Sequence, residues 1–158
     1  MFNTMPVTID VEVKGLIETQ KKLEQVLTDL HGAPMIEAMR DATLLVTRDA
    51  KILAPVDTGR LRASITPDVT QRGNDLVGIV GSNVVYAPYM ELGTRPHFPP
   101  LSALETWARR HGMTAFQVAL AIARKGTKAR KFLQGAFEKN EGRIIDLLER
   151  AIGRIVEK

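Results

Sequence analysis

The tripeptide Asp57-Thr58-Gly59 is the pattern in this chain that comes closest to a catalytic motif. In aspartic proteases of the retroviral type, two Asp-Thr-Gly loops meet across a dimer and their carboxyl groups share a proton. Sharing needs an uncharged setting, whereas Arg60 and Arg62 follow here and would keep Asp57 ionised. We therefore favour a structural role, in which Asp57 or Thr58 caps a short turn and Gly59 relieves backbone crowding. Hydrolysis at Asp57 is the weaker alternative.

The remaining residues that could bind a metal or a phosphate lack the partners that such chemistry needs. His31, His97 and His111 do not have the i, i+3 or i, i+4 spacing that places two ligands on one helix face. The run Gly126-Thr127-Lys128 is similar to the end of a phosphate loop, but Ala121 stands where the first glycine is required. No serine lies in a glycine-flanked elbow. We therefore expect no catalytic residues, no metal and no cofactor.

The composition is that of an ordinary folded domain. Of 158 residues, 44% are hydrophobic and 25% are charged, which fits one globular core. The lack of cysteine excludes a disulfide framework. No signal peptide and no apolar run of about 20 residues is present, so we expect the protein to be cytoplasmic when made. A net charge of +4 and a pI of about 9.6 mildly favour an acidic partner such as nucleic acid.

Two helices are predicted near the start of the chain, after one strand. The alternating segment Val7–Val13 indicates a strand with one buried face. Apolar residues then recur at helical spacing over Leu16–Leu30, and Gly32 supplies a C-terminal stop. A second, more deeply buried helix runs from about Pro34 and must end before Pro55.

A β-hairpin is predicted next. Ser64–Gln71 and Leu76–Ser82 have strand character, and the turn-forming residues 72–75 join them. In the second strand, Val77 and Ile79 are expected to form the inward face.

The second half of the chain is predicted to be helical. After a proline-rich loop, Leu101–Arg110 forms a short helix with Trp107 in the core. Thr114 and Gln117 form a capping-box pattern ahead of a helix over about Ala115–Lys125. A long amphipathic helix follows to the C-terminus. The expected fold is one α+β domain over residues 1–158, in which a small antiparallel sheet packs on long helices, with a helical insertion over about 101–131.

Two segments carry a family resemblance. Residues Ala54–Ile65 read APVDTGRLRASI and residues Tyr86–Thr94 read YAPYMELGT. In this order, with a hairpin between them and a proline-rich loop after them, they resemble the neck or tail-completion proteins, small tail components of long-tailed bacteriophages. The resemblance extends from about Ile36 to the C-terminus. The unit from Leu101 to Lys131 is longer than in the shortest relatives.

The resemblance implies a structural protein of the virion with no catalytic activity. Its copies would form a ring, expected to be hexameric, at the head-tail junction. The implied partners are the connector or stopper on one side and the tail terminator or tail-tube proteins on the other. Phage DNA would pass through the ring without sequence-specific contact. The alternative from another class is a basic, non-sequence-specific nucleic-acid-binding protein.

Three groups of residues are predicted to serve this role. The first is a stiff contact surface between subunits, formed by aromatic residues and prolines with their neighbours: Tyr86, Pro88, Tyr89, Arg95, His97 and Phe98. The second is a clamp in which Glu91 pairs with Arg60 or Arg62, within the subunit as the favoured arrangement or across an interface as the alternative: Asp57, Thr58, Gly59, Arg60, Arg62 and Glu91. The third is a basic group that is either a solvated loop or, as the functional hypothesis, a surface that lines the DNA channel or meets an acidic neighbour: Arg124, Lys125, Lys128, Arg130 and Lys131.

Overall fold

A computed structural model describes residues 16–157 of the protein. The predicted strand Val7–Val13 lies outside these residues. The elements, in chain order, are α1 (Leu16–Leu30), α2 (Ala33–Leu53), α3 (Arg60–Ser64), β1 (Ile65–Arg72), β2 (Asp75–Ser82), α4 (Ala87–Leu92), α5 (Leu101–Arg110), α6 (Ala115–Lys125) and α7 (Phe132–Val156). The predicted α+β class is confirmed, because a two-stranded antiparallel sheet accompanies a mostly helical chain. That the whole chain is one domain stays a prediction.

The core lies between the two long helices α2 and α7. On α2 the buried positions recur every four residues and are small, as at Ala42, Val46 and Ala50. Ala136 of α7 is fully buried and forms one apolar cluster with Val46 and Ala50, and small side chains let two helix axes approach closely. Phe132, at the start of α7, is also fully buried and supplies the bulk of the cluster. The two long helices therefore form the frame on which the rest of the chain is mounted.

A buried polar contact joins α2 to α7. The carboxylate of Asp49 is almost fully buried and accepts a hydrogen bond of 2.8 Å from Nδ2 of Asn140. The side chains of Arg48 and Lys139 approach the same carboxylate at 3.3 Å each. The hydrogen bond from Asn140 lowers the pKa of Asp49, although burial acts in the opposite direction. The contact therefore favours the ionised carboxylate and fixes the alignment of the two helices.

The hairpin forms where it was predicted, but its inward face differs. β1 and β2 pair from Ile65 opposite Ser82 to Arg72 opposite Asp75. A Cβ atom on Gly78 would lie 2.7 Å from the side chain of Thr43 on α2. Gly78 therefore faces α2, and Val80, two residues on, packs against the core.

The predicted inward face of Val77 and Ile79 is therefore wrong, and Ile79 is exposed. The close approach of α2 requires a glycine at position 78. That glycine removes one apolar residue from the alternation that would have marked the inward face in the sequence.

Helix α1 is attached to the hairpin turn by one histidine. Nδ1 of His31 lies 3.0 Å from the carbonyl oxygen of Leu27, and Nε2 lies 2.8 Å from the carbonyl oxygen of Asn74. A carbonyl oxygen only accepts hydrogen bonds, so both contacts form together only when both ring nitrogens carry a proton. These two carbonyl contacts raise the pKa of His31.

Helices α5 and α6 form a helical hairpin and pack mainly on each other. The predicted capping box is confirmed: the hydroxyl of Thr114 accepts from the backbone N–H of Gln117, and the Gln117 side chain accepts from the backbone N–H of Thr114. The predicted core role of Trp107 is wrong. Its side chain is 36% exposed and stacks on His111, while the neighbouring Ala108 is the buried residue. A two-helix hairpin has too little interior to enclose an indole ring.

Candidate assembly surface

Two backbone segments, Met90–Thr94 and Gly126–Lys131, lie against each other at the base of the α5–α6 hairpin. We call this contact the crossing. The N–H of Thr94 donates to the carbonyl oxygen of Thr127 at 3.1 Å, and the N–H of Thr127 donates back to the carbonyl oxygen of Thr94 at 3.3 Å. The two threonine hydroxyl groups are 3.0 Å apart. The 32 residues between Thr94 and Thr127 are therefore closed into a loop at their base.

A second pair of hydrogen bonds fixes the other end of the crossing. The N–H of Arg130 donates to the carbonyl oxygen of Met90 at 2.8 Å, and the N–H of Lys131 donates to the carbonyl oxygen of Glu91 at 3.1 Å. Lys131 has a φ of 50°, in the left-handed region that glycine and asparagine prefer. Among residues 16–157 it is the one non-glycine residue with a positive φ. The crossing is thus held by four backbone hydrogen bonds at the expense of one strained lysine.

Two glycines allow the crossing to close. Gly93 has φ 73° and ψ −176°, and Gly126 has φ 69° and ψ −163°, a region essentially restricted to glycine. A Cβ atom on Gly93 would lie 2.5 Å from the carbonyl oxygen of Thr127. A Cβ atom on Gly126 would overlap the carbonyl oxygen of Thr94. Neither position therefore accepts a side chain without moving the opposite backbone.

Glu91 connects the crossing to the start of α7. Its two carboxylate oxygens accept hydrogen bonds of 2.9 Å each from the backbone N–H groups of Leu133 and Gln134. These N–H groups lie in the first turn of the helix, where they have no partner within it and where a negative charge is favourable. The predicted pairing of Glu91 with Arg60 or Arg62 is therefore corrected, because the helix N-terminus uses both oxygens of the carboxylate.

Asp57 also has a different partner from those expected. It forms an ion pair of 2.5 Å with Arg110 at the end of α5, which links the loop before α3 to the helical hairpin. The hydroxyl of Thr58 makes only a long contact of 3.5 Å with the N–H of Arg60. Gly59 has a φ of 80° and begins α3, in line with its predicted backbone role. The Asp-Thr-Gly segment thus joins two elements through Asp57, while the long Thr58 contact is the one that corresponds to the predicted cap of a short turn.

The predicted contact surface is exposed throughout. Within this surface, residues 87–92 form the short helix α4. Tyr89 on this helix is 57% exposed. Phe98 projects from the following loop, 6.2 Å from the ring of Phe116 on α6. The six predicted residues are all exposed: Tyr86, Pro88, Tyr89, Arg95, His97 and Phe98.

Two further apolar residues belong to this surface and were not predicted. Val85 is 86% exposed and Leu92 is 75% exposed, although both are large aliphatic side chains. Single exposed aliphatic residues are common, but here they flank exposed tyrosines within eight residues of chain. Both residues lie in the apolar and aromatic stretch Val84–Leu92, which is the sequence signal that could have identified them.

The five predicted basic residues lie together beside the crossing, and all five are exposed: Arg124, Lys125, Lys128, Arg130 and Lys131. The structure adds a sixth, Arg95, whose backbone lies against Gly126 and whose side chain is exposed. We call these six residues the basic cluster. Among the ion pairs of residues 16–157, none includes a member of this cluster.

Comparison with known proteins gives one match. Residues 17–93, about half of the chain, match the profile of the family described as "Bacteriophage HK97-gp10, putative tail-component". Through this segment the chain belongs to the HK97-gp10 tail-component family. Searches of curated proteins and of solved structures returned no significant match.

The bounds of the match differ from those of the resemblance seen in the sequence. It begins before Ile36, where the sequence resemblance was expected to start, and it ends at Gly93, within the crossing. Membership places the protein in the virion, among the structural components of a phage tail. Three parts of the structure lie beyond the matched segment. They are the α5–α6 hairpin, all six residues of the basic cluster, and α7.

Two further observations concern residues 16–157 of the tail component. No group of histidine and carboxylate side chains in this range has the geometry of a metal site. None of the helices in the same range is long and apolar enough to span a membrane.

Proposed function

We propose that this tail component is a neck or tail-completion subunit. Its copies form a ring, expected to be hexameric, at the head-tail junction and join the connector or stopper to the tail terminator or tail tube. Phage DNA passes through the ring without sequence-specific contact. The protein works by assembly and has no catalytic activity.

The exposed aromatic and aliphatic surface around α4 is the observation that carries this proposal. Val85, Tyr89 and Leu92 are each more than half exposed, and large apolar side chains grouped in this way favour a protein contact. Tyrosine is also enriched at protein interfaces. The surface is held in place by the crossing at the end of α4, so little conformational freedom is lost when a neighbour binds.

A ring also needs a second, different patch on each subunit, because each copy meets the next head to tail. The end of α2 offers such a patch. Ile52, Leu53 and Val56 are all exposed at this end of the helix and in the loop that follows. We propose that this patch receives the α4 surface of the adjacent copy.

The local contacts of the polar residues support a structural role. Asp57 and Glu91, the carboxylates within the two motif segments, are engaged by an ion pair with Arg110 and by the N-terminus of α7. Both carboxylates therefore hold parts of the fold together. A general acid or base would need access to a substrate proton.

The test uses a phage that lacks the gene, supplied with variants from a plasmid. The variant Tyr89→Ser with Leu92→Ser removes two large apolar contacts, and the titre of infectious particles is expected to fall about tenfold or more. The control is Ile17→Ser with Leu23→Ser, which removes two exposed apolar residues of α1. It is expected to leave the titre within about threefold of wild type.

Electron microscopy of the same particles separates the stages of assembly. The α4 variant should give filled heads and free tails that are not joined. Heads joined normally to tails in particles made without this protein would refute the neck role. Normal joining in the α4 variant, with wild-type folding shown by urea denaturation, would refute the assigned contact surface.

A further inference from the structure

The charge of the tail component is divided sharply between two parts of the chain. Residues 95–131 contain eight lysine and arginine residues and one acidic residue, Glu105, which gives this segment a net charge of +7. The whole chain has a net charge of +4, so the remaining residues carry −3. The net positive charge of the protein is therefore confined to the α5–α6 hairpin and its base.

Interactions within the fold do not account for this concentration. Of the eight cations, Arg110 is the one that forms an ion pair within residues 16–157, with Asp57. Arg124 and Lys125 lie in the last turn of α6, where the helix dipole favours positive charge. Lys128, Arg130 and Lys131 lie outside that helix, and the last two adjoin the N-terminus of α7, where the dipole disfavours cations.

Lys131 is the clearest case of a charge that does not stabilise the fold. Its left-handed backbone suits glycine or asparagine, and it precedes a helix whose N-terminus favours an acceptor or an acid. A lysine at this position is unfavourable on both counts. The charge is more readily explained by a partner outside the subunit.

We propose that the basic cluster of Arg95, Arg124, Lys125, Lys128, Arg130 and Lys131 is a binding surface for the phosphate backbone of double-stranded DNA. The four backbone hydrogen bonds of the crossing hold the cluster in a fixed shape. The six side chains are long and exposed, and phosphate contacts through such side chains carry no sequence information. The inference deepens the proposed function, because it names the residues that contact the DNA inside the ring.

An acidic protein neighbour is the competing partner, and the composition of the surface favours DNA. Protein interfaces are depleted of lysine and combine their charges with apolar contacts. The basic cluster contains three lysines and three arginines, and the segment Lys128–Lys131 contains no large apolar residue. The exposed apolar residues lie on the neighbouring α4 surface, which is assigned to protein contacts.

Fluorescence anisotropy of the full chain with a labelled duplex of about 30 base pairs tests the inference. The cluster variant changes all six residues to glutamine: Arg95→Gln, Arg124→Gln, Lys125→Gln, Lys128→Gln, Arg130→Gln and Lys131→Gln. The control variant changes six exposed cations elsewhere: Lys21→Gln, Lys22→Gln, Arg40→Gln, Arg72→Gln, Arg143→Gln and Arg154→Gln. Both variants have the same formal net charge, which falls from +4 to −2.

At about 100 mM salt, the cluster variant is expected to bind at least about tenfold more weakly than the control variant. The dependence of log K on log salt should become less steep by about 0.9 for each phosphate contact that is lost. Equal weakening in the two variants would overturn the inference, because bulk charge would then explain the binding. An absence of duplex binding by the wild-type chain would overturn it as well.

Complementation of phage particles separates this inference from the proposed function. Wild-type duplex affinity in the cluster variant, together with lost tail attachment, would overturn the inference and assign the cluster to an acidic protein neighbour. Particles that assemble normally without the protein would refute the ring role and leave the anisotropy result unchanged. Joined particles that lose DNA with the cluster variant, but not with the control variant, are the expected outcome.

Discussion

Gly126→Ala should open the crossing. The backbone of Gly126 lies in a region where other residues are strained by up to about 3 kcal/mol. The added Cβ would also overlap the carbonyl oxygen of Thr94, and overpacking of this kind typically costs about 1–3 kcal/mol. With mid-range values for both terms, the crossing should lose about 4 kcal/mol of stability.

Gly112→Ala is the matched control. Gly112 has a φ of 68°, close to that of Gly126, and it lies in the same helical hairpin. A Cβ atom on Gly112 would have nothing within 4 Å. The control therefore includes a backbone penalty of about 1–2 kcal/mol without the overlap, and its effect should remain near the turn between α5 and α6.

Hydrogen exchange measured by mass spectrometry distinguishes the two variants. In Gly126→Ala, the amides of Thr94, Thr127 and Arg130 should exchange about a thousandfold faster, since about 4 kcal/mol corresponds to nearly three powers of ten. Amides in α2 and α7 should stay protected, because the core between these helices does not depend on the crossing. Equal protection at the crossing in the two variants would refute the assignment of Gly126 as a steric requirement.

Two further predictions concern single side chains. Lys131→Asn should stabilise the protein by about 0.5–1 kcal/mol in urea denaturation, because asparagine tolerates the left-handed backbone and removes a cation from a helix N-terminus; an unchanged or lower midpoint would contradict this. The contact of His31 should be strongest at low pH: its pKa is raised in the folded state, so its contribution is fully present below the unfolded pKa and is lost as the pH rises through the folded pKa. The protection factors of the α1 amides, in which the intrinsic rise of exchange with pH is divided out, should therefore fall as the pH rises above about 6.5 in the wild type but not in His31→Gln, and the same fall in both proteins would refute it.

Local sequence signals were sufficient for the elements. The capping box of Thr114 and Gln117 and the stop at Gly126 give α6 the bounds that the structure shows. The turn at Gly73 and Asn74 likewise fixes the register of the hairpin. These features depend on residues within a few positions of each other, so the sequence contains the whole signal.

The contacts that build the candidate site join residues that are far apart in the chain, so no local sequence pattern predicts them. Glu91 meets the N–H groups of α7 across more than 40 positions, and Asp57 meets Arg110 across more than 50. The pairing of Glu91 with Arg60 or Arg62 was predicted because those arginines lie within the other motif. In the structure, Glu91 instead lies next to the start of α7, where otherwise unpaired backbone N–H groups bind its carboxylate.

The positive charge of the α5–α6 hairpin is partly predictable from the sequence. The five cations between Arg124 and Lys131 form a group by their spacing alone, whereas Arg95, Arg109 and Arg110 lie farther away in the chain. Counting charges within the whole helical insertion would have shown the segregation. The structure was needed to place Arg95 beside the later cations.

Because Thr94 pairs with Thr127, the two ends of the segment that contains the α5–α6 hairpin lie next to each other. A segment inserted between paired neighbours can lengthen, shorten or be replaced without changing the path of the chain on either side. Evolution can therefore vary this part of the molecule independently of the core, and a protein engineer could transplant it as a cassette between scaffolds. Differences in length among related chains would then collect between these two threonines, while the helices of the core keep their spacing.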